Sequence, residues 1–109
     1  MIFDLVREAI ATFKCEDVTE HNLENTKYMA KYVFIASATS TVRARSTIEK
    51  MYTKLKQAGF VDCGIDVADG EWCVLDGGEF MVHVFTHEKR AHYRLDELLE
   101  KIISMSRDS

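Results

Sequence analysis

The sequence predicts a single α/β domain, a mixed sheet of about five strands with helices packed on it, in the order α-β-β-α-β-β-β-α. Three observations carry this. Tyr32–Ala36 and Phe80–Phe85 are continuous runs of β-branched and aromatic residues, as strands buried on both faces require. Three other segments repeat their apolar residues at helical spacing instead. With 109 residues and 47% hydrophobic content, the chain is long enough for one core and too short for two.

Taken in order, Ile2, Leu5, Val6, Ala9, Ile10 and Phe13 form an amphipathic stripe, so the chain is expected to start with a helix of about three turns. Val18–Leu23 holds Glu20, His21 and Asn22 and is too polar for a central strand; an edge strand is expected there, followed by a loop at Asn22–Lys27. Tyr32–Ala36 is the first buried strand. It ends in Ser37-Ala38-Thr39-Ser40, whose hydroxyls suit the capping of a helix with Ala44, Ile48, Met51, Tyr52 and Leu55 on its inner stripe. Gly59 stops that helix. Gly64–Ala68 reads as a third strand, and Asp69-Gly70 turns the chain into the hairpin Glu71–Phe85, whose turn is Asp76-Gly77-Gly78-Glu79. Phe80, Val82 and Val84 take one side of its second strand, while Met81, His83 and Phe85 take the other. That strand therefore belongs in the middle of the sheet. A last helix is expected with Ala91, Leu95, Leu98, Leu99 and Ile102 on one face. The domain then spans residues 1–103, with a polar tail at 104–109.

Charge is unevenly spread. The chain carries 14 basic and 18 acidic residues, a net charge of -4, which weighs against general nucleic-acid binding. From Ala58 to Glu88 there is no Lys or Arg, yet Asp62, Asp66, Asp69, Glu71, Asp76, Glu79 and Glu88 all fall there. Arg43, Arg45, Lys50, Lys54 and Lys56 precede that block with Glu49 as their only acid, so one basic and one acidic face are expected. No run of about 18 apolar residues and no basic-then-apolar leader is present, which suits a soluble, intracellular protein without a membrane partner. Cys15, Cys63 and Cys73 are odd in number and set in hydrophobic patterns, as reduced thiols are.

Candidate chemistry is sparse. There is no CxxC pair, and His87 and His92 would stand about 140° apart on a helix, unlike two zinc ligands. Cys73 and His83 lie across the hairpin from one another, but acids and apolar neighbours around Cys73 would disfavour its thiolate. Phosphate-cradling glycine motifs are missing. Asp66, Asp76 and Glu79 are the carboxylates a magnesium-dependent enzyme would need, with no basic or Gly-Ser element beside them to hold a phosphate. A contact surface is the other reading: Trp72 as anchor within a rim of Asp66, Glu71, Asp76 and Glu79, facing a basic partner. Core tryptophan and solvated acids are the plain alternative.

Glu71-Trp72-x3-Asp76-x-Gly78-Glu79-x3-His83-Val84-Phe85 followed by Arg90-x2-Tyr93-x-Leu95-Asp96-x-Leu98 resembles the signature of the Iojap-type ribosomal silencing factors. Tyr32–Ser40 is similar to that family's aromatic-apolar strand ending in Thr-Ser, and the likeness spans roughly residues 2 to 100. Lys31, Ala38, Arg43 and Leu99 depart from the pattern, as in a divergent or organellar lineage. The resemblance implies a nucleotidyltransferase-like α/β fold without catalysis, cofactor or metal. It also implies docking on large-subunit ribosomal protein fourteen, a basic protein, with ribosomal RNA nearby but no specificity for it, and a block to small-subunit joining. A magnesium-dependent nucleotidyltransferase-like enzyme is the alternative. Asp66, Glu71, Trp72, Asp76, Gly78 and Glu79 then belong to the partner-binding surface, with His83, Arg90 and Tyr93 in support. The cytoplasm, or the mitochondrial matrix as alternative, is the expected compartment, and a homodimer of the free protein is compatible with the family.

Overall fold

Phe80–Thr86 is the middle strand of a five-stranded sheet in the computed structural model, which describes residues 2–107, apart from the side chains of Ile2 and Arg107. The elements are α1 (Ile2–Thr12), β1 (Glu16–Asn22), β2 (Tyr32–Ala38), α2 (Thr41–Gln57), β3 (Gly64–Asp66), β4 (Trp72–Asp76), β5 (Phe80–Thr86), α3 (His87–Tyr93) and α4 (Leu95–Arg107). The sheet order is β1-β2-β5-β4-β3. Only β2 and β5 run parallel, and the other three pairs are antiparallel. The mixed sheet and the central place of β5 are as the sequence predicts. Among the described residues no helix is long and apolar enough to cross a membrane.

Strand alternation divides the apolar residues between two cores. Phe34, Cys73, Leu75, Phe80, Val82 and Val84 point to one face and meet Val6, Ala9 and Ile10 of α1 and Ala44, Ile48, Met51 and Leu55 of α2. Ile2, expected in the α1 stripe, lies outside the described side chains. Val33, Ile35 and Phe85 point to the other face, under Leu95 and Leu99 of α4, with Leu23 and Ala30 from the β1–β2 loop. Both faces of β5 are therefore covered over much of their length.

Capping follows the residues that favour it. Ser40 stands before α2 and its side chain accepts a hydrogen bond from the Arg43 N–H. Gly59, just beyond the helix, has φ +97°, which glycine adopts without a Cβ clash.

Four expectations are corrected. The edge strand β1 begins at Glu16 rather than Val18, because a bulge between Glu16 and Thr19, with Asp17 at φ 48°, lets pairing with β2 resume earlier. The third strand stops at Asp66 instead of Ala68; the Asp66 carboxylate accepts the Ala68 N–H and bends the chain there. The single last helix is two. Arg94, in the left-handed region at φ 54° and ψ 41°, ends α3 and turns α4 so that Leu95 and Leu99 reach the core while Ala91 and Leu98 stay exposed. Finally, α4 stays helical through Arg107, so the expected tail from Ser104 is helical to that point, and residues 108 and 109 lie outside the described part.

Candidate functional site: the open face of the hairpin

The β4–β5 hairpin depends on its two glycines for different reasons. Gly78 has φ +86°, and its N–H is accepted by the Asp76 carboxylate at 2.9 Å. Gly77 lies against the Phe80 ring, where a Cβ would come within 2.2 Å of a ring carbon, so any side chain there would displace the ring. This tight turn fixes the register that pairs Trp72 with Phe85, Val74 with His83 and Asp76 with Met81. Those side chains share one sheet face with Asp66, which pairs with Val74 across β3 and β4.

α4 packs over β1 and reaches Val33, Ile35 and Phe85 through Leu95 and Leu99, while α3 lies over β5 and β2. Toward β3 and β4 the cover thins: Tyr93 of α3 reaches Trp72, and Trp72, Val74 and Met81 are half-buried between the exposed Asp66 and Asp76. A shallow groove of about 370 Å³, lined by Ile65, Asp66, Val74, Asp76 and Met81, follows the strands. Its middle is apolar and its rim acidic.

Trp72 is held from below and from the side. Its indole N–H donates to Nδ1 of His83 at 3.0 Å. Its ring stacks on Phe85, with centroids 5.1 Å apart at 22°, and meets Tyr93 of α3 at 4.3 Å. His83 is only 4% exposed, and burial pushes its pKa down to about 4, so it is neutral near pH 7. Because Nδ1 accepts from Trp72, the proton sits on Nε2, for which no hydrogen-bond partner is present among the described residues. An aromatic anchor with both ring directions fixed carries little ordering cost on binding.

The other expected residues separate into two groups. Asp66, Trp72 and Asp76 come together on the open face. Glu71 stands at the opposite end of β4 from Asp76, where Lys89 reaches both it and Asp69 at 3.9 Å and lies over the Tyr93 ring at 5.3 Å. Glu79 follows the turn and pairs with Lys31 at 3.6 Å. The ring of four acids around Trp72 is thus two on its face and two at the ends. Val74 and Met81 were missed by the sequence reading, although the period-two alternation of the hairpin already places them beside Trp72.

Tyr93 supports Trp72, but Arg90 does something else. Its guanidinium donates to the Asp96 carboxylate at 3.1 Å, to the Ser37 hydroxyl at 2.9 Å and to the Asp17 carbonyl exposed by the β1 bulge. Asp96 also receives Thr19 and His21 at 2.5 and 2.9 Å. Burial pushes the Asp96 carboxyl up, but these donors outweigh it and hold the pKa below the ordinary carboxylate value. The network fastens the α3–α4 junction to β1 and β2.

The side chains weighed for catalysis lie apart. Cys73 pairs with Val84 and points to the α1–α2 face, away from His83, and burial raises its thiol pKa. Among the described residues no three His, Cys, Asp or Glu side chains converge as a metal-binding group, so Asp66, Asp76 and Glu79 do not form one.

Fold and surface define a class of protein: a small α/β domain on a mixed five-stranded sheet, one face of which loses its helical cover toward β3. The profile described as "Ribosomal silencing factor during starvation" matches residues 2–108. The chain belongs to the ribosomal silencing factor family. Proteins named Ribosomal silencing factor RsfS from Zymomonas mobilis and Chromobacterium violaceum are 25% and 26% identical to it, over 90% and 89% of this chain and 74% and 80% of theirs. A crystal structure of a Chromobacterium violaceum protein superposes with a TM-score of 0.85 at 27% identity, covering 91% of this chain and 83% of that one. A Bacillus halodurans structure shares the fold, with a TM-score of 0.75 at 22% identity, over 89% and 91% of the two chains.

Proposed function

We propose that this ribosomal silencing factor works by occupancy. Its open hairpin face docks on large-subunit ribosomal protein fourteen, a basic protein, and covers a surface that the small subunit needs for joining. The observation that carries the reading is the thinly covered end of the sheet, where a Trp72 fixed by Tyr93 and His83 and the half-buried Val74 and Met81 lie between Asp66 and Asp76. An apolar centre supplies affinity, and a rim of one charge sign steers a partner of the opposite sign. No turnover is required, because two ligands competing for one surface exclude each other by mass action. Glu71 and Glu79 extend the negative field beyond the face, and the compartment is wherever the ribosomes are, bacterial cytoplasm or mitochondrial matrix.

A subunit-joining assay with purified subunits tests it. The protein should co-sediment with free large subunits, not with joined ribosomes, and lower the yield of joined ribosomes in proportion to its occupancy. Asp66→Lys and Asp76→Lys should each weaken docking about five- to tenfold at low salt, with less effect at high salt. Unchanged affinity and salt dependence in both variants would place the interface elsewhere.

A further inference from the structure

On the other side of the sheet from Trp72 lies a charge pattern that the docking face does not use. Arg43, Lys50 and Lys54 are seven and four residues apart on α2, so they fall within about 40° of one another around the helix and span about 16 Å along it. Lys14, at the end of α1, continues the row. Two adjoining hollows of about 310 and 300 Å³ run beside it, and both are lined by Phe13, Lys14, Arg43 and Thr47. Among the described residues none of the four cations has a carboxylate or other side-chain partner. By contrast Arg7, Lys31, Lys89, Arg90 and Arg94 each sit against a carboxylate. The one acid in the lining, Glu16, is taken by His87 at 2.6 Å.

Unpaired cations of one sign held close together repel one another, and a row of them lowers its energy by meeting a row of anions. We infer that Lys14, Arg43, Lys50 and Lys54 form a rail for the phosphate backbone of ribosomal RNA. The inference rests on the proposed placement on the large subunit, whose RNA supplies the polyanion. A linear array of point charges suits a polyanion more than a single phosphate. The hollows offer no glycine-rich cradle, and their one aromatic, Phe13, is partly buried and packed against the core. Contact is with backbone, so it adds affinity without sequence preference. α2 and the Trp72 face lie on opposite sides of the sheet, so the two contacts are separable by mutation.

The test compares wild type with a variant carrying Lys14→Ala, Arg43→Ala, Lys50→Ala and Lys54→Ala, on whole large subunits and on isolated ribosomal protein fourteen. A second variant with Lys14→Arg, Lys50→Arg and Lys54→Arg keeps the charge. Thermal melts verify that both fold. The alanine variant should bind whole subunits about tenfold or more weakly, with a salt dependence of log affinity shallower by about one for each lost phosphate contact. Its binding to the isolated protein should match wild type, and the arginine variant should match wild type on both. Equal affinity and slope for the alanine variant on whole subunits overturns the inference. So does an equal loss on the isolated protein, which would make the rail a protein contact, or displacement of subunits by free nucleotide at this groove. If wild type ignores the isolated protein yet binds subunits through the rail, the docking proposal fails and the rail stands. If wild type binds neither, both fall.

Discussion

The two halves of one sheet face use polar groups in opposite ways. Over β1 and β2, α4 is fastened by Arg90, Asp96, His21, Thr19 and Ser37, in which a partly buried carboxylate is met by three donor groups. Toward β3 and β4 the helical cover thins to Tyr93 of α3, which meets Trp72, and the deeply buried His83 of β5 beside it is hydrogen-bonded to Trp72 alone among the described residues. In the first half, burial and hydrogen bonding oppose each other and hydrogen bonding wins. In the second, burial acts on His83 unopposed, so the imidazole stays neutral. A compensated network makes a closed, rigid half. The other half is held by aromatic stacking and stays available.

Breaking the closed half should have the largest effect. Arg90→Met removes the guanidinium while keeping much of its volume, leaving a 27% exposed Asp96 charge and the Asp17 carbonyl without it. Removing the charged donor costs about 3 kcal/mol, less than for a fully buried pair because water, Thr19 and His21 still reach the carboxylate. Urea unfolding at pH 7 reads the loss, and hydrogen exchange should show α4 opening first. A loss under about 0.5 kcal/mol would class the network with ordinary surface ion pairs and erase the contrast between the halves.

The next effect belongs to His83. Its folded pKa, about 4, is below the ordinary value of 6.5, so the unfolded chain binds its proton first as pH falls. Stability from this group is full above about pH 6.5, declines as pH drops through that value, and levels off below about 4, for a total of about 3 kcal/mol. His83→Gln retains an acceptor for the Trp72 N–H and cannot titrate. Stability of the variant should be flatter than wild type between pH 6.5 and 4, measured by urea midpoints. Parallel curves would mean that His83 is not the acid-sensitive group.

How far the sequence reaches is visible in the same residues. The hairpin was legible because a turn chemistry and a period of two agree on one register, and with it the shared face of Trp72 and Asp76. Helices α1 and α2 follow from their stripes and caps. The break at Arg94 was not legible, since the apolar spacing from Ala91 to Ile102 continues a helix and arginine is a poor signal for a left-handed residue. The Arg90 network was equally hidden. Asp17, Thr19, Ser37, Arg90 and Asp96 are up to about eighty positions apart, and only the sheet order brings them together. For the site, the acids could be counted in the sequence but not placed: two face outward with Trp72, while Glu71 and Glu79 answer to Lys89 and Lys31.

A milder change probes the tie between Trp72 and His83. Trp72→Phe keeps an aromatic ring against Phe85 and Tyr93 but removes the N–H that His83 accepts, which should cost about 1–2 kcal/mol of stability at pH 7. The same unfolding assay reads it, and an unchanged midpoint would show that stacking alone fixes the anchor.

The smallest effect separates the acids from one another. Glu79 is exposed and among the described residues its carboxylate meets only the exposed Lys31, so Glu79→Lys should change stability by no more than about 0.5 kcal/mol. Its effect on docking should be smaller than that of Asp76→Lys, because Asp76 stands on the open face beside Met81 while Glu79 sits past the turn. Affinity for ribosomal protein fourteen, measured for both variants across a salt series, ranks them. If Glu79→Lys weakened docking more than Asp76→Lys, the partner would be gripping the turn itself, and the thinly covered strand surface would be its margin instead of its centre.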